Sequence, residues 1–231
     1  MRGRTERLMG RGSRGRAWRL MALMLAVGIS LLPVALMAQE GTPVAGTPVP
    51  VPTLEGEAAP AGQVIAHGLA ILPEGEAVWR VREVEPPGPG AAEAEAGDFS
   101  FTLQVDGVTV IRNDVTLKRA RLEPGEAYFL AADDSYTRWA DAEPPSLSWV
   151  IDLAAPDDAG EALFVSDPIA EWPGGVRDVE LLRNFLRPGQ VTSLPAHSSP
   201  ALVLVAGGSV EVVGEGVEQQ ALEAGGALLA P

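Results

Sequence analysis

No cysteine occurs in the 231 residues, which removes disulfides, thiolate zinc sites, iron–sulfur clusters, thiol nucleophiles and a lipidated cysteine anchor. Histidine is almost as scarce. Only His67 and His197 are present, so a site needing three imidazoles would have to import one from another chain. Aromatic residues make up 5% of the chain, and 17 basic residues stand against 31 acidic ones, a net charge of −14. That deficit of positive charge excludes an electrostatic affinity for nucleic acid. No phosphate-binding loop, dinucleotide fingerprint or Ser/His/Asp arrangement is visible, because GGSV and GEGV fall between two apolar runs and not between a strand and a helix.

What is abundant is glycine and proline, 26 and 20 residues. With 46% hydrophobic residues, this suits short strands joined by many turns, in one or two small domains.

The first 19 residues carry seven arginines and one acid, and residues 20–38, LMALMLAVGISLLPVALMA, carry no charge. This is the layout of a secretory signal with cleavage expected after Ala38. The run is also just long enough to span a bilayer as a helix, so an uncleaved N-terminal anchor remains the alternative. Either way the rest of the chain is expected outside the cytoplasmic membrane, secreted or in the cell envelope. Removing residues 1–38 takes away seven basic groups and one acid, leaving 10 basic and 30 acidic, about −20. Residues 39–62, QEGTPVAGTPVPVPTLEGEAAPAG, lack hydrophobic periodicity and read as a disordered linker.

Beyond Gly62 the chain alternates in runs of four to seven residues: FSFTLQV, GVTVI, RARL, AYFL, LSWVIDL, ALVLV and SVEVV. Such runs, separated by Gly, Pro and Asp turns, predict an all-β antiparallel sandwich or barrel. VRDVELLRNFL (176–186) fits a short helix or an entering strand equally. An internal repeat is present: LQVDGVTVIRNDVTLKRARLEPGEAYFL (103–130) is answered by LVAGGSVEVVGEGVEQQALEAGGALL (204–229). Val108 matches Val210, LEPGEA matches LEAGGA, and LPEG (72–75) matches RPGQ (187–190). The excess in the first copy, residues 85–98, reads as a surface loop.

The second copy, residues 186–231, resembles the cupin superfamily, and the first resembles a diverged version of it. The resemblance rests on a PG turn, a Gly-Gly hairpin between valine-rich strands and an L-x-x-G-x-A-x-x-x-P return. It implies two cupin-like antiparallel barrels or jelly rolls in tandem, residues 63–155 and a partial second barrel over 176–231, following the signal or anchor helix. Metal-binding cupins share a G-x5-H-x-H motif followed by a glutamate. Here Gly189 fills the glycine, Pro195 stands at the first histidine, His197 at the second, and Ala201 or Leu202 at the glutamate. In the first copy the pair falls on Val81 and Glu83 and the late histidine near Tyr136. The resemblance therefore implies degenerate metal sites, with His197 a remnant ligand and no cofactor expected. A non-catalytic module binding a small molecule, or a structural module, leads. The alternative is a metal-dependent oxygenase or isomerase using Fe, Mn, Ni or Zn on His197 and ligands beyond Pro231.

In VWRVREVE, alternation puts Trp79 and Val81 on one face and Arg80 and Arg82 on the other. Arginines facing inward could grip a carboxylate or phosphate, whereas arginines facing out would snorkel over a tryptophan-filled barrel. Candidate ligand-binding residues are thus His197, Arg80, Arg82 and Tyr136. Trp139 and Trp149 could stack on a ligand or fill the core. Asp133, Asp134, Asp157 and Asp158 read as turn residues. The expected partner is a small-molecule ligand, not nucleic acid, with membrane contact only through an uncleaved N-terminal helix and a homodimer left open. The second copy stops without counterparts of residues 135–140 and LSWVIDL, so its sheet is expected to lack strands. A longer natural chain is the expected reason, ahead of a strand donated from elsewhere or partial order.

Overall fold

The computed structural model describes residues 22–30, 55–141, 145–170, 172, 174–194, 197, 200–214 and 217–230. Among them there are 18 strands and two three-residue 3-10 turns, at Pro89–Ala91 and Pro156–Asp158, and no α-helix. The all-β expectation holds. The uncharged N-terminal run is the exception to its reading: its described part, Ala22–Ser30, is not a helix but a strand, β1. No helix among the described residues is long and apolar enough to cross a membrane. The linker reading also changes at its end, where Glu57–Ala58 forms β2 and pairs parallel with Gln190–Val191 (β14). The remainder of that linker, residues 39–54, lies outside the described residues.

The other strands follow in order: β3 (Gln63–Leu72), β4 (Val78–Val84), β5 (Ala94–Glu95), β6 (Ser100–Asp106), β7 (Thr109–Asn113), β8 (Arg119–Leu122), β9 (Ala127–Leu130), β10 (Tyr136–Ala140), β11 (Leu147–Ala154) and β12 (Phe164–Val165). The second half holds β13 (Gly175–Leu186), β15 (Ala201–Gly207), β16 (Ser209–Gly214), β17 (Val217–Glu223) and β18 (Ala227–Ala230). VRDVELLRNFL thus resolves as a strand inside β13, with β3 hydrogen-bonded on one side and β1 on the other.

The two five-stranded sheets share a pattern of strand connections. One five-stranded sheet runs β12-β4-β11-β6-β9 and the other β3-β13-β1-β15-β18, so each strand of the first has a counterpart at the same place in the second. The match extends to single hydrogen bonds. The Gly125 amide donates to the Gln104 carbonyl at 2.8 Å and the Gln104 amide to Glu126 at 2.9 Å; Gly225 to Val205 and Val205 to Gly226 repeat both distances. Gly125 and Gly225 have φ of +86° and +84°, left-handed values that glycine adopts without strain. Two details of the sequence alignment are corrected. Thr109 opposes Leu122 as Val210 opposes Leu222, so Val210 answers Thr109 and not Val108. Because Val84 opposes Ser148 as Asn184 opposes Met24, β4 answers β13. The PG turn of RPGQ is therefore matched by EPPGPG (85–90) and not by LPEG.

The main core lies between the two five-stranded sheets. Trp79, Val81, Phe101, Leu103, Trp149, Ile151 and Leu153 come from one, and Ala66, Leu72, Val179, Leu181, Leu202 and Leu204 from the other. All are buried, and alternation along each strand turns the intervening residues to the opposite face. Gly68 on β3 lets the Phe129 ring lie against the backbone, since a Cβ there would come within 2.2 Å of it. Behind the first sheet lies a four-stranded sheet, β5-β10-β7-β8; in the second half the only described counterpart is the β16-β17 pair.

Candidate functional site

A side-chain contact shows which face of the first sheet looks toward the four-stranded sheet. Thr109 Oγ1 on β7 lies 2.6 Å from Ser146 Oγ and 3.3 Å from Ser148 Oγ on β11. The residues sharing a face with Ser148 are Val150 and Asp152 on β11, Arg80, Arg82 and Val84 on β4, and Ser100, Thr102 and Gln104 on β6. Those sharing a face with Thr109 are Ile111 and Asn113, with Ala140, Arg138 and Tyr136 directly opposite them. Arg80, Arg82 and Tyr136 are thus brought into one interior, while Trp79 goes to the core between the five-stranded sheets. The arginine face of β4 looks toward the four-stranded sheet, with the Arg80 and Arg82 side chains 18% and 39% exposed.

One end of this interior is closed by a satisfied neutral network. Gln104 Nε2 donates to Ser146 Oγ at 2.6 Å, and the Ser148 hydroxyl donates to Gln104 Oε1 at 2.8 Å. Farther along, Asp152 collects two arginines. Arg80 Nε and Nη2 donate to its two oxygens at 2.8 and 2.9 Å, and Arg82 Nη2 donates to Oδ2 at 2.8 Å. The hydrogen bond to Asp152 raises the Arg80 pKa despite the opposing effect of burial. Arg80 Nη1 reaches the Asp158 carbonyl at 2.9 Å, so this turn, read as a pair of turn acids, clamps the guanidinium through its backbone.

The second cluster is centred on Arg138, whose side chain is 5% exposed. Its Nη2 donates to Glu95 Oε1 and Oε2 at 3.2 and 2.9 Å, the Tyr136 hydroxyl donates to the same carboxylate at 3.3 Å, and the guanidinium lies 5.8 Å from the Tyr136 ring. Burial first, then the Glu95 charge, pushes the Tyr136 pKa above that of a free tyrosine, with Arg138 and Arg82 pulling the other way. The phenol stays neutral. It therefore contributes stability that is complete below pH ~10 and lost as pH rises through its higher folded value. In a Tyr128→Phe variant, absorbance at 295 nm should show Tyr136 ionising above that pH and the fold weakening with it; ionisation at or below pH ~10 would contradict the arrangement.

Four buried donors in this interior have no protein partner: Nε and Nη1 of Arg138, Nε of Arg82 and the hydroxyl of Thr102. Each unsatisfied donor costs about 1–3 kcal/mol, more when charged. Three guanidinium groups pair here with two carboxylates, Asp152 and Glu95, and the Asp98 and Asp158 charges also act on Arg80.

His197 is not brought into this group. It lies in the second half, on the approach to β15. By the register that pairs Ser100 with Leu130 and Ala201 with Ala230, His197 is equivalent to Ala96 of the first half and not to Glu83. Among the described residues no group of three His, Asp or Glu side chains could hold a metal ion. His67 is on β3 opposite Glu180. Trp149 is in the core, and Trp139 faces away from Tyr136, beneath Arg119 at 5.4 Å. Sequence reasoning missed Arg138, Glu95, Asp152 and Thr102. The alternation in YTRWA could have paired Arg138 with Tyr136; Glu95 sat in a stretch read as a surface loop and carried no signal.

No protein-family model matches the chain, and no curated protein matches it. Among solved structures, hydroxypropylphosphonic acid epoxidase from S. wedmorenis is 17% identical, with a TM-score of 0.29 over 33% of this chain and 42% of its own. The apo form of HppE is 20% identical, with a TM-score of 0.28 over 32% and 40%. Protein NMB1881 from Neisseria meningitidis is 13% identical, with a TM-score of 0.29 over 41% and 83%. The chain thus spans about two fifths of the length of the epoxidase structures.

Proposed function

We propose that this chain is an exported, cupin-like protein of two related β-units in tandem, and that it acts as a non-catalytic module holding a small molecule inside the first unit. Support for the tandem reading comes from the shared strand order of the two five-stranded sheets and for export from the arginine-rich start followed by an uncharged run. The observation that carries the binding reading is the interior between β4, β6 and β11 on one side and β7 and β10 on the other. It is lined by arginine, tyrosine and hydroxyl groups with donors left unpaired, where a structural unit would place hydrocarbon.

Element analysis of the purified protein tests this reading against the metal-dependent oxygenase or isomerase. The expected outcome is a protein without stoichiometric metal. Fe, Mn, Ni or Zn at one equivalent, lost in His197→Ala, would overturn the module in favour of the enzyme. Intact mass after cell fractionation tests export: full-length chain in the cytosol would contradict it.

A further inference from the structure

We infer that the small molecule held in the first unit is an oxyanion, a carboxylate or a phosphate, gripped by Arg138 and Arg82. The inference rests on the binding reading above and adds the chemical class. It starts from Arg138, which is 95% buried by its 5% side-chain exposure and spends only Nη2 on Glu95. Two of its N–H-bearing atoms, Nε and Nη1, have no protein acceptor, and neither has Arg82 Nε or the Thr102 hydroxyl. Thr102, Val150 and Arg82 form one cross-strand row on the first sheet. Arg82 is also close enough to Tyr136, two residues from Arg138, to act on its phenol. By alternation Arg82 and Thr102 lie on the face of the first sheet that looks toward the four-stranded sheet, and Arg138 lies on the face of β10 that looks back.

A ligand that satisfies these donors must accept several hydrogen bonds, and guanidinium donors favour an acceptor that carries negative charge. Water could take two or three of the bonds, but an oxyanion accepts them and also meets the guanidinium charge of Arg138 and Arg82 directly. An apolar molecule accepts no hydrogen bond, and a neutral sugar offers the guanidinium groups no charge-assisted one. The Tyr136 hydroxyl is committed as a donor to Glu95. Planar guanidinium groups are suited to carboxylate and phosphate oxygens.

The test uses the full chain, with sodium acetate and sodium phosphate as probes against sodium chloride at matched ionic strength. In a ¹H–¹⁵N spectrum, the Nε–H signals of Arg138 and Arg82 are expected to move and saturate with one of the two oxyanions. Acetate and phosphate distinguish the planar from the tetrahedral ligand. Arg80 Nε–H, already bonded to Asp152, should stay. Arg138→Met should weaken binding about tenfold or more, while Arg119→Met, on the outer face beside Trp139, should not. Because Arg138→Met could fail to fold, the wild-type arginine signals are the deciding readout. If neither anion moves them but a neutral molecule from a small-compound screen does, the oxyanion class is wrong and the binding module stands. If nothing moves them, both are wrong.

Discussion

Replacing Asp152 by alanine is expected to cost about 3 kcal/mol of folding stability, the lower end of what breaking a buried ion pair does. The side chain is 8% exposed and accepts from Arg80 twice and from Arg82 once. Its loss leaves three guanidinium donors facing a vacated site. The figure sits at the low end because Arg82 is 39% exposed, so part of the stranded charge can turn to water. Urea denaturation of the variant, read against Asp152→Asn and the double variant Arg80→Met/Asp152→Leu, checks the cause. Asn should cost less than Ala because it keeps one acceptor. The double variant should recover much of the loss, because it removes the partner charge together with the carboxylate. At the exposed pair of Arg121 and Glu123, Glu123→Ala should change nothing measurable. An Asp152→Ala variant as stable as the parent would mean that both guanidinium groups reach solvent, and the interior would not be a closed site.

How much of this could be read beforehand depended on whether the signal was local. The hairpins were legible, since a glycine at φ near +85° and flanking valine alternation are written in adjacent residues. The grouping of Arg80 with Arg82 was equally legible, because period two assigns residues to faces. Which face turned toward the four-stranded sheet was not: VWRVREV lies in a sheet with another on either side, so hydrophobic alternation had no plain solvent side to point to. The repeat was visible, but its register slipped by one where Val108 was matched to Val210. Both copies have a turn glycine there, Gly107 and Gly208, and the alternation restarts after it. Asp152 reads as one acid in an apolar run, and only the registration of β11 against β4 makes it the counter-charge of two arginines. Glu95 comes from a two-residue strand in a Pro/Gly/Ala stretch, and nothing local distinguishes it from Glu93.

A proline at Val27 is expected to open the second five-stranded sheet and leave the first intact. β1 fills the place that β11 fills in the first sheet, down to the irregularity: the register shifts between Leu147 and Ser148 against β6, and between Leu23 and Met24 against β15. A strand with partners on both sides has no edge on which a proline could sit without removing a ladder hydrogen bond. With a cost of about 3 kcal/mol, the amides of Val203 to Val205 on β15 and Val179 to Leu181 on β13 should lose about 100-fold or more of their hydrogen-exchange protection. Those of Val81 on β4 and Leu103 on β6 should not change. The segment that completes this sheet is the same uncharged run that an export pathway would hold in the membrane or cut away. One molecule cannot use it for both, so a chain lacking residues 1–38 should show the same loss at β13 and β15 and pair or aggregate through the exposed strands. Full protection of those amides in the Val27→Pro chain would show that β13 and β15 are closed by something other than β1, and the equivalence of the two sheets would then end at that strand.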